Sequence, residues 1–464
     1  MIAAAVAMGA ATAAAETADA WPSVQGGPAH LGVAASADPA PPLRTTWSLA
    51  PGDGGPGFSA ATVGEGVGVT VGRATVVGFD PASGAVRWRV GRASGYLDPA
   101  AIGRSASGPP VAVFAQGRAG AASSILALDL DTRAEVWRYP AHGSLRQPLR
   151  GSPAIVDGVV YVGGMDGSVY ALDLGDGHLV WRFAAGGQVA ADPAVDGGRV
   201  FAAAQDPTTG HATLYAIDAT TGKQAWAAAA PGPSSHLTAP TVADGTVFEG
   251  FGDGTIRAFE ASTGRVEWTA SIRGVFLSGP SLASAGGSLY AFAPTGAVYR
   301  LDAGTGDKVW DYQFPTTSVR GAPILVGGYL IVGLDDGTLG VIDLRSGNLA
   351  WTTELANRKF GPFAWSDGLL IASSVGTEGS HGGLLALHHV EGRLTAIESP
   401  TRLHLGTALV NASVGVATVF AGFFVLFGAI LGRRTSARAV LASGEPTGGD
   451  PWRDRRNGDG PDDG

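Results

Sequence analysis

Apolar residues in this chain fall into short runs, and turn-forming residues cut those runs at regular intervals. The stretch 152–184 shows the pattern plainly: SPAIVDG, VVYVGG, SVYALDL and HLVWRFA, broken at Asp157-Gly158, Asp166-Gly167 and Asp176-Gly177. Each run is alternating or continuously apolar over the length of a strand. Asp-Gly between such runs signals a hairpin, because Gly accepts a positive φ at the turn. The pattern predicts four antiparallel strands in about 42 residues, the content of one propeller blade. A helical repeat of similar period needs amphipathic stretches of about 10 residues or more, and 58–399 contains none.

The same phrase recurs eight times: apolar residues, an acid, a short turn, then Trp. It stands as VVGFDPASGAVRW at Asp80, ILALDLDTRAEVW at Asp129, VYALDLGDGHLVW at Asp173 and LYAIDATTGKQAW at Asp218. It continues as IRAFEASTGRVEW at Glu260, VYRLDAGTGDKVW at Asp302 and LGVIDLRSGNLAW at Asp343. The eighth copy, LLALHHVEGRLTA at His388, has neither acid nor Trp. Successive acid slots lie 41 to 49 residues apart. Trp88, Trp137, Trp181, Trp226, Trp268, Trp310 and Trp351 each stand eight residues after the acid. The acid can accept backbone N–H groups at the turn, Gly84, Gly177, Gly222, Gly264, Gly306, Gly347 and Gly392 supply an unusual φ, and the Trp suits a seat between blades. These residues are therefore read as scaffold, one set per blade, unable to converge on one metal ion.

The pattern A-x-D-x-x-T-G-x-x-x-W, closest at AIDATTGKQAW and RLDAGTGDKVW, resembles the PQQ-like (pyrroloquinoline-quinone-type) β-propeller repeat, as does the lead-in from Trp21 to His30. The resemblance covers about 21–399 and implies an all-β, eight-bladed propeller of four-stranded antiparallel blades. Its non-enzymatic, BamB-like branch implies a scaffold in envelope assembly that binds no quinone. Fold alone does not fix function. An open ring leaves two unpaired sheet edges. The strand at Thr45–Leu49, with its own Trp47, precedes the first full copy and is expected to complete the last blade.

The chain ends bear on location. Residues 405–432 hold no charged side chain and are followed by Arg433, Arg434 and Arg438. About 20 apolar residues cross a bilayer, and flanking arginines favour the cytoplasmic side. The expectation is a single-pass cell-membrane protein with its propeller outside and a disordered cytoplasmic tail over 433–464. Residues 1–20 resemble a secretory signal without its basic start. Residues 21–44 are then a lead-in and 45–400 the propeller.

Composition narrows the chemistry. The sequence has no Cys, which excludes disulfides, thiolate metal sites and Cys nucleophiles. The quinoprotein alcohol dehydrogenases that this repeat resembles carry an adjacent Cys pair against their quinone, which this chain cannot supply. A net charge of −9 argues against nucleic acid. No catalytic residue, metal site or cofactor is expected, and the propeller is expected to be a monomer.

Loops around a propeller channel are the usual binding surface. A Pro announces each blade's first strand: Pro109, Pro153, Pro193, Pro240, Pro280, Pro323 and Pro362. Arg150, Arg320 and Lys359 stand three residues before such a Pro, with Arg146, His236, Arg273 and Arg358 nearby. Arg150, His236, Arg320, Arg358 and Lys359 are the candidate channel-mouth site, for an anion or peptide carboxylate, with Asp192 and Glu354 as possible counter-charges. The function expected is a membrane-anchored extracytoplasmic scaffold for an unknown protein or peptide. The alternative is a quinone- or metal-dependent oxidoreductase.

Overall fold

A computed structural model describes residues 20–34, 41–51, 57–92, 98–117, 123–145, 147–233, 238–272, 281–315, 321–355, 358–376 and 382–389. These residues form eight four-stranded antiparallel sheets. Blade 3 is representative, with strands Leu149–Val156, Val159–Gly164, Ser168–Asp173 and Leu179–Ala184. Its first turn places both Asp157 (φ 49°) and Gly158 (φ 76°) in the left-handed region, the conformation a two-residue hairpin needs to match strand twist. The first three strands carry most of the buried residues, while Leu179 and Val180 of the outermost strand are exposed.

The ring closes with the strand Leu43–Leu49, which pairs with Gly383–His389 and so becomes the outermost strand of blade 8. His388 of this blade is a strand residue whose Nδ1 lies 2.7 Å from Thr46 Oγ1.

One strand boundary differs from expectation. Blade 2 begins at Ala101–Arg104, after Pro99, and Pro109 leads into the second strand, Pro110–Gln116. The intervening loop is longer here than a two-residue hairpin, which moved the Pro out of phase with the others.

Among the described residues no helix is long and apolar enough to cross a membrane. The expected span at 405–432, the tail at 433–464 and residues 1–19 of the leader-like segment 1–20 lie outside them.

Candidate functional site: the propeller channel and its rim

The lead-in segment enters the channel. Carbonyls of Trp21, Pro22, Pro28, Ala29, Leu31 and Gly32 accept the N–H groups of Val63, Ile102, Val195, Val242, Ser284 and Leu325, at 2.7 to 3.0 Å. Those six donors hold equivalent positions, next to the first turn of blades 1, 2, 4, 5, 6 and 7. Inner strands of a propeller have an unpaired edge facing the channel, and buried backbone groups require partners. Here the chain's own lead-in supplies them.

Two polar side chains anchor this plug. Gln25 donates from Nε2 to the Leu282 carbonyl at 2.7 Å. His30 lies 3.1 Å from the Pro240 carbonyl through Nδ1; a carbonyl only accepts, so Nδ1 carries the hydrogen. Burial pushes the His30 imidazole down to about 4, against the smaller opposing effect of that hydrogen bond, so it is neutral at physiological pH.

The opposite end of the inner strands holds a three-residue network. Arg150 forks onto Asp98, with Nε to Oδ2 at 2.9 Å and Nη2 to Oδ1 at 3.1 Å. The Ser152 amide donates to Asp192 Oδ1 at 2.7 Å. Asp98, Arg150 and Asp192 belong to the approaches of blades 2, 3 and 4. Burial raises Asp98 despite Arg150. It pushes Asp192 up to about 7, with the Ser152 N–H partly offsetting it. Gly151 is required beside it: φ is +82°, and a Cβ would stand 2.3 Å from Asp192 Oδ1.

The remaining sequence-derived candidates are distributed as follows. Lys359 lies on Arg358–Ser366 with Nζ 4.0 Å from Asp335 Oδ2 of the preceding blade. Arg358 is on the same strand, and its side chain is outside the description. His236 and Arg320, with Arg146 and Arg273, lie outside the described residues. Glu354 is exposed at the end of Leu349–Glu354. Arg150 and Lys359 are thus each matched to a carboxylate of a neighbouring blade.

Acids of the repeat sit on the other face, at the turn before the outermost strand. Asp129 Oδ1 accepts the amides of Asp131 at 2.7 Å and Thr132 at 2.8 Å. Asp173, Asp218, Asp302 and Asp343 make similar bonds, and Asp80 accepts Ser83 N and Arg87. Glu260, one methylene longer, takes side-chain donors instead, from Ser262, Thr263 and Arg265. Asp173, Asp176 and His178 come within metal-ligand reach of one another on an exposed turn, yet Asp173 Oδ1 and Asp176 Oδ1 are engaged by amides and by His178.

Among the described residues, Trp47, Trp137, Trp181, Trp226, Trp268 and Trp310 donate Nε1 to a carbonyl of the next blade, at 2.8 to 3.1 Å. The acceptors, Pro81, Leu174, Ala219, Ala261, Ala303 and Leu344, each follow the acid. The indole lies on the turn Gly: a Cβ on Gly222 would meet Trp181 at 2.7 Å.

Three features escaped the sequence reading. The plug carried no periodic signal, since 21–34 contains no copy of the repeat. Asp98 precedes Pro99 as Asp192 precedes Pro193, a repetition that could have paired them. Glu249, fully buried in Thr246–Gly250 with its carboxyl raised well above the usual range by burial, is an acid inside an otherwise apolar strand.

A closed, eight-bladed propeller with indole locks between blades and a plugged channel defines the class. The family described as outer membrane protein assembly factor BamB matches residues 121–272 and 210–399. The chain belongs to that family of PQQ-like repeat propellers. Among solved structures it is similar to BamB from Moraxella catarrhalis, with 19% identity, TM-score 0.56, and coverage of 75% of this chain and all of that one. It is also similar to a europium-containing methanol dehydrogenase, at 15% identity, TM-score 0.64, covering 79% and 91%. Quinohemoprotein alcohol dehydrogenase from Comamonas testosteroni matches at 14% identity, TM-score 0.63, covering 82% of each chain. These likenesses are of fold. No curated protein matches the sequence.

Proposed function

We propose that this protein is a membrane-anchored, extracytoplasmic scaffold that binds protein or peptide in the cell envelope. The observation that carries the reading is the plug: residues 21–34 bond to the inner strands of six blades and fill channel space with the chain itself. Recognition then falls on the opposite rim, where Arg150 pairs with Asp98 and Lys359 faces Asp335. Each pair bridges neighbouring blades, which lowers the side-chain entropy lost on binding. Family membership supports the scaffold reading. The sequence has no Cys to supply the adjacent pair of the quinoprotein dehydrogenases.

The anchor is the uncharged run 405–432 with Arg433 and Arg434 beyond it. Protease treatment of intact cells tests the topology: the propeller should be cleaved and the tail protected. The opposite result refutes it.

Partner capture from membranes by the full chain should weaken in an Arg320→Ala variant without loss of thermal midpoint. Arg150 and Lys359 are left in place because removing either would strand its partner carboxylate, Asp98 or Asp335. Undiminished capture would put the partner elsewhere. The alternative, a quinone- or metal-dependent oxidoreductase, predicts a new absorbance band when purified protein is mixed with quinone and Ca²⁺. The scaffold reading predicts none.

A further inference from the structure

One repeated bond locks neighbouring blades at their outer strands. The indoles of Trp137, Trp181, Trp226, Trp268 and Trp310 join blades 2 to 7 in an unbroken series, and Trp47 joins blade 8 to blade 1. Among the described residues, the indoles of Trp88 in blade 1 and Trp351 in blade 7 are not such donors. The two unlocked junctions, 1/2 and 7/8, divide the ring into blades 2–7 and the pair of blades 8 and 1.

The sequence departs from the repeat at both places. Blade 8 has His388 in the acid slot. The blade 2 turn reads Asp129-Leu130-Asp131-Thr132-Arg133, with Arg133 where Gly84, Gly177, Gly222, Gly264, Gly306 and Gly347 stand elsewhere. Arg133 is held at φ +64°, a conformation that suits Gly. In locked junctions the indole takes the space a Cβ would need: on Gly177 it would stand 2.5 Å from Trp137. Arg133 has that Cβ, so the seat is closed to Trp88. Trp88 lies instead over Gly78, its cross-strand partner, where a Cβ would come within 2.0 Å of the indole Cε2. Other blades carry Ala127, Ala171, Ala216, Ala258, Arg300 or Val341 at this position.

Apolar packing continues across both junctions. Val67 and Val69 of blade 1 cluster with Phe114 and Leu128 of blade 2, and Ile331 and Val341 of blade 7 with Phe363 and Leu385 of blade 8. Such contact is non-directional; it holds blades together without fixing the angle between them. Near the channel both junctions are tied. The Trp21 and Pro22 carbonyls accept from Val63 of blade 1 and Ile102 of blade 2, and the Phe360 amide of blade 8 donates to Leu334 of blade 7 at 3.4 Å. Each is also crossed by an ion pair, Arg104 to Glu65 at 2.7 Å and Lys359 to Asp335 at 4.0 Å. The Arg104 and Lys359 side chains are exposed, where such pairs are weak and screened by salt. Two locked junctions are reinforced: Tyr161 Oη shares the Ala219 carbonyl with Trp181, and Arg300 Nη1 shares the Leu344 carbonyl with Trp310.

We propose that the ring is a two-body device, in which blades 8 and 1 pivot together against blades 2–7. The pivots are the channel-side ties of the 1/2 and 7/8 junctions, and the outer strands there, free of the indole lock, take up the movement as packed elements sliding past one another. The first and last strands, Leu43–Leu49 and Gly383–His389, both belong to the smaller body. Asp98, Arg150 and Asp192 ride with the larger body and Lys359 with the smaller, so the pivot changes the spacing of the rim groups.

The sequence has no Cys, so cysteines introduced in pairs carry the only spin labels on the purified full chain. Labels at Ser48 and Thr352 span the 7/8 junction, at Ala85 and Ala134 the 1/2 junction, and at Ala227 and Thr269 the locked 4/5 junction; all six residues are exposed. Distance distributions across the two unlocked junctions should be at least twofold wider than across 4/5. They should widen further in about 1 M NaCl, with the 4/5 distribution unchanged. Gly78→Ala combined with Arg133→Gly restores both repeat positions and should narrow the 1/2 distribution to the 4/5 width, leaving 7/8 as it was. Trp226→Phe keeps a ring but loses the donor and should widen 4/5. Unlocked distributions no wider than that of 4/5, or a 1/2 width untouched by the double variant, overturn the proposal.

Discussion

The indole of Trp47 donates its Nε1 hydrogen to the carbonyl of Pro81, 3.1 Å away. Trp47 lies on the outermost strand of blade 8 and Pro81 on the turn of blade 1, so this bond crosses the seam where the ring closes. Its geometry repeats the bonds that the indoles of Trp137, Trp181, Trp226, Trp268 and Trp310 make to the next blade, and the seam is thereby sealed by the same device. Deleting 42–50 removes both the strand and the lock. The exposed edge of Gly383–His389 should then drive self-association. Light scattering would check this; a well-behaved monomer would mean the ring closes without that strand.

Trp226 is 8% exposed, contacts Phe201 and Phe259, and donates to Ala261. Trp226→Ala should cost roughly 3–5 kcal/mol. Trp452→Ala, in the polar tail, should cost nothing measurable. Chemical denaturation midpoints of the two variants decide it.

Gly222 and Gly245 both adopt positive φ, +67° and +78°, but only Gly222 has a neighbour, Trp181, where a Cβ would go. Gly245→Ala should cost about 1–2 kcal/mol, from backbone conformation alone. Gly222→Ala should cost more, by about 1 kcal/mol or above, because the indole must move off its carbonyl acceptor. Equal urea midpoints would remove the steric role assigned to the turn glycines.

His30 has a folded value of about 4 against an ordinary 6.5. Between those values the unfolded chain binds more protons than the native state, so stability rises with pH across that window and is lost as pH falls through it. The contribution is of the order of 3 kcal/mol. His30→Asn, a residue that tolerates positive φ, should flatten the pH 4–6.5 limb of the thermal midpoint profile.

Asp192 acts with the opposite sign. Its folded value of about 7 lies above the usual 3.8, so the native state retains a proton that the unfolded chain releases. Stability from this group is full below the lower value and declines as pH rises toward 7. Asp192→Asn keeps an acceptor for the Ser152 amide and should abolish that decline. An unchanged slope in the midpoint profile between pH 4 and 7 would assign the proton elsewhere.

The blades were legible in the sequence because each is local. Its four strands follow one another within about 42 residues, hairpin turns mark them, and a period of 41 to 49 residues repeats the message. Trp47 was legible for the same reason, as a spare copy of a repeated part. Where the copies differ, the sequence showed the letters without their consequence. Arg133 in a Gly slot and Gly78 opposite Trp88 become one event only when the two blades face each other. The plug was illegible because its bonds join 21–34 to strands as distant as Leu325, and a segment paired to six different blades carries no period of its own. The Asp98–Arg150–Asp192 network likewise spans three blades. Side-chain charge can be read from a sequence, but whether a cation stands free or faces a buried carboxylate depends on burial and distance, and the packed ring alone sets those.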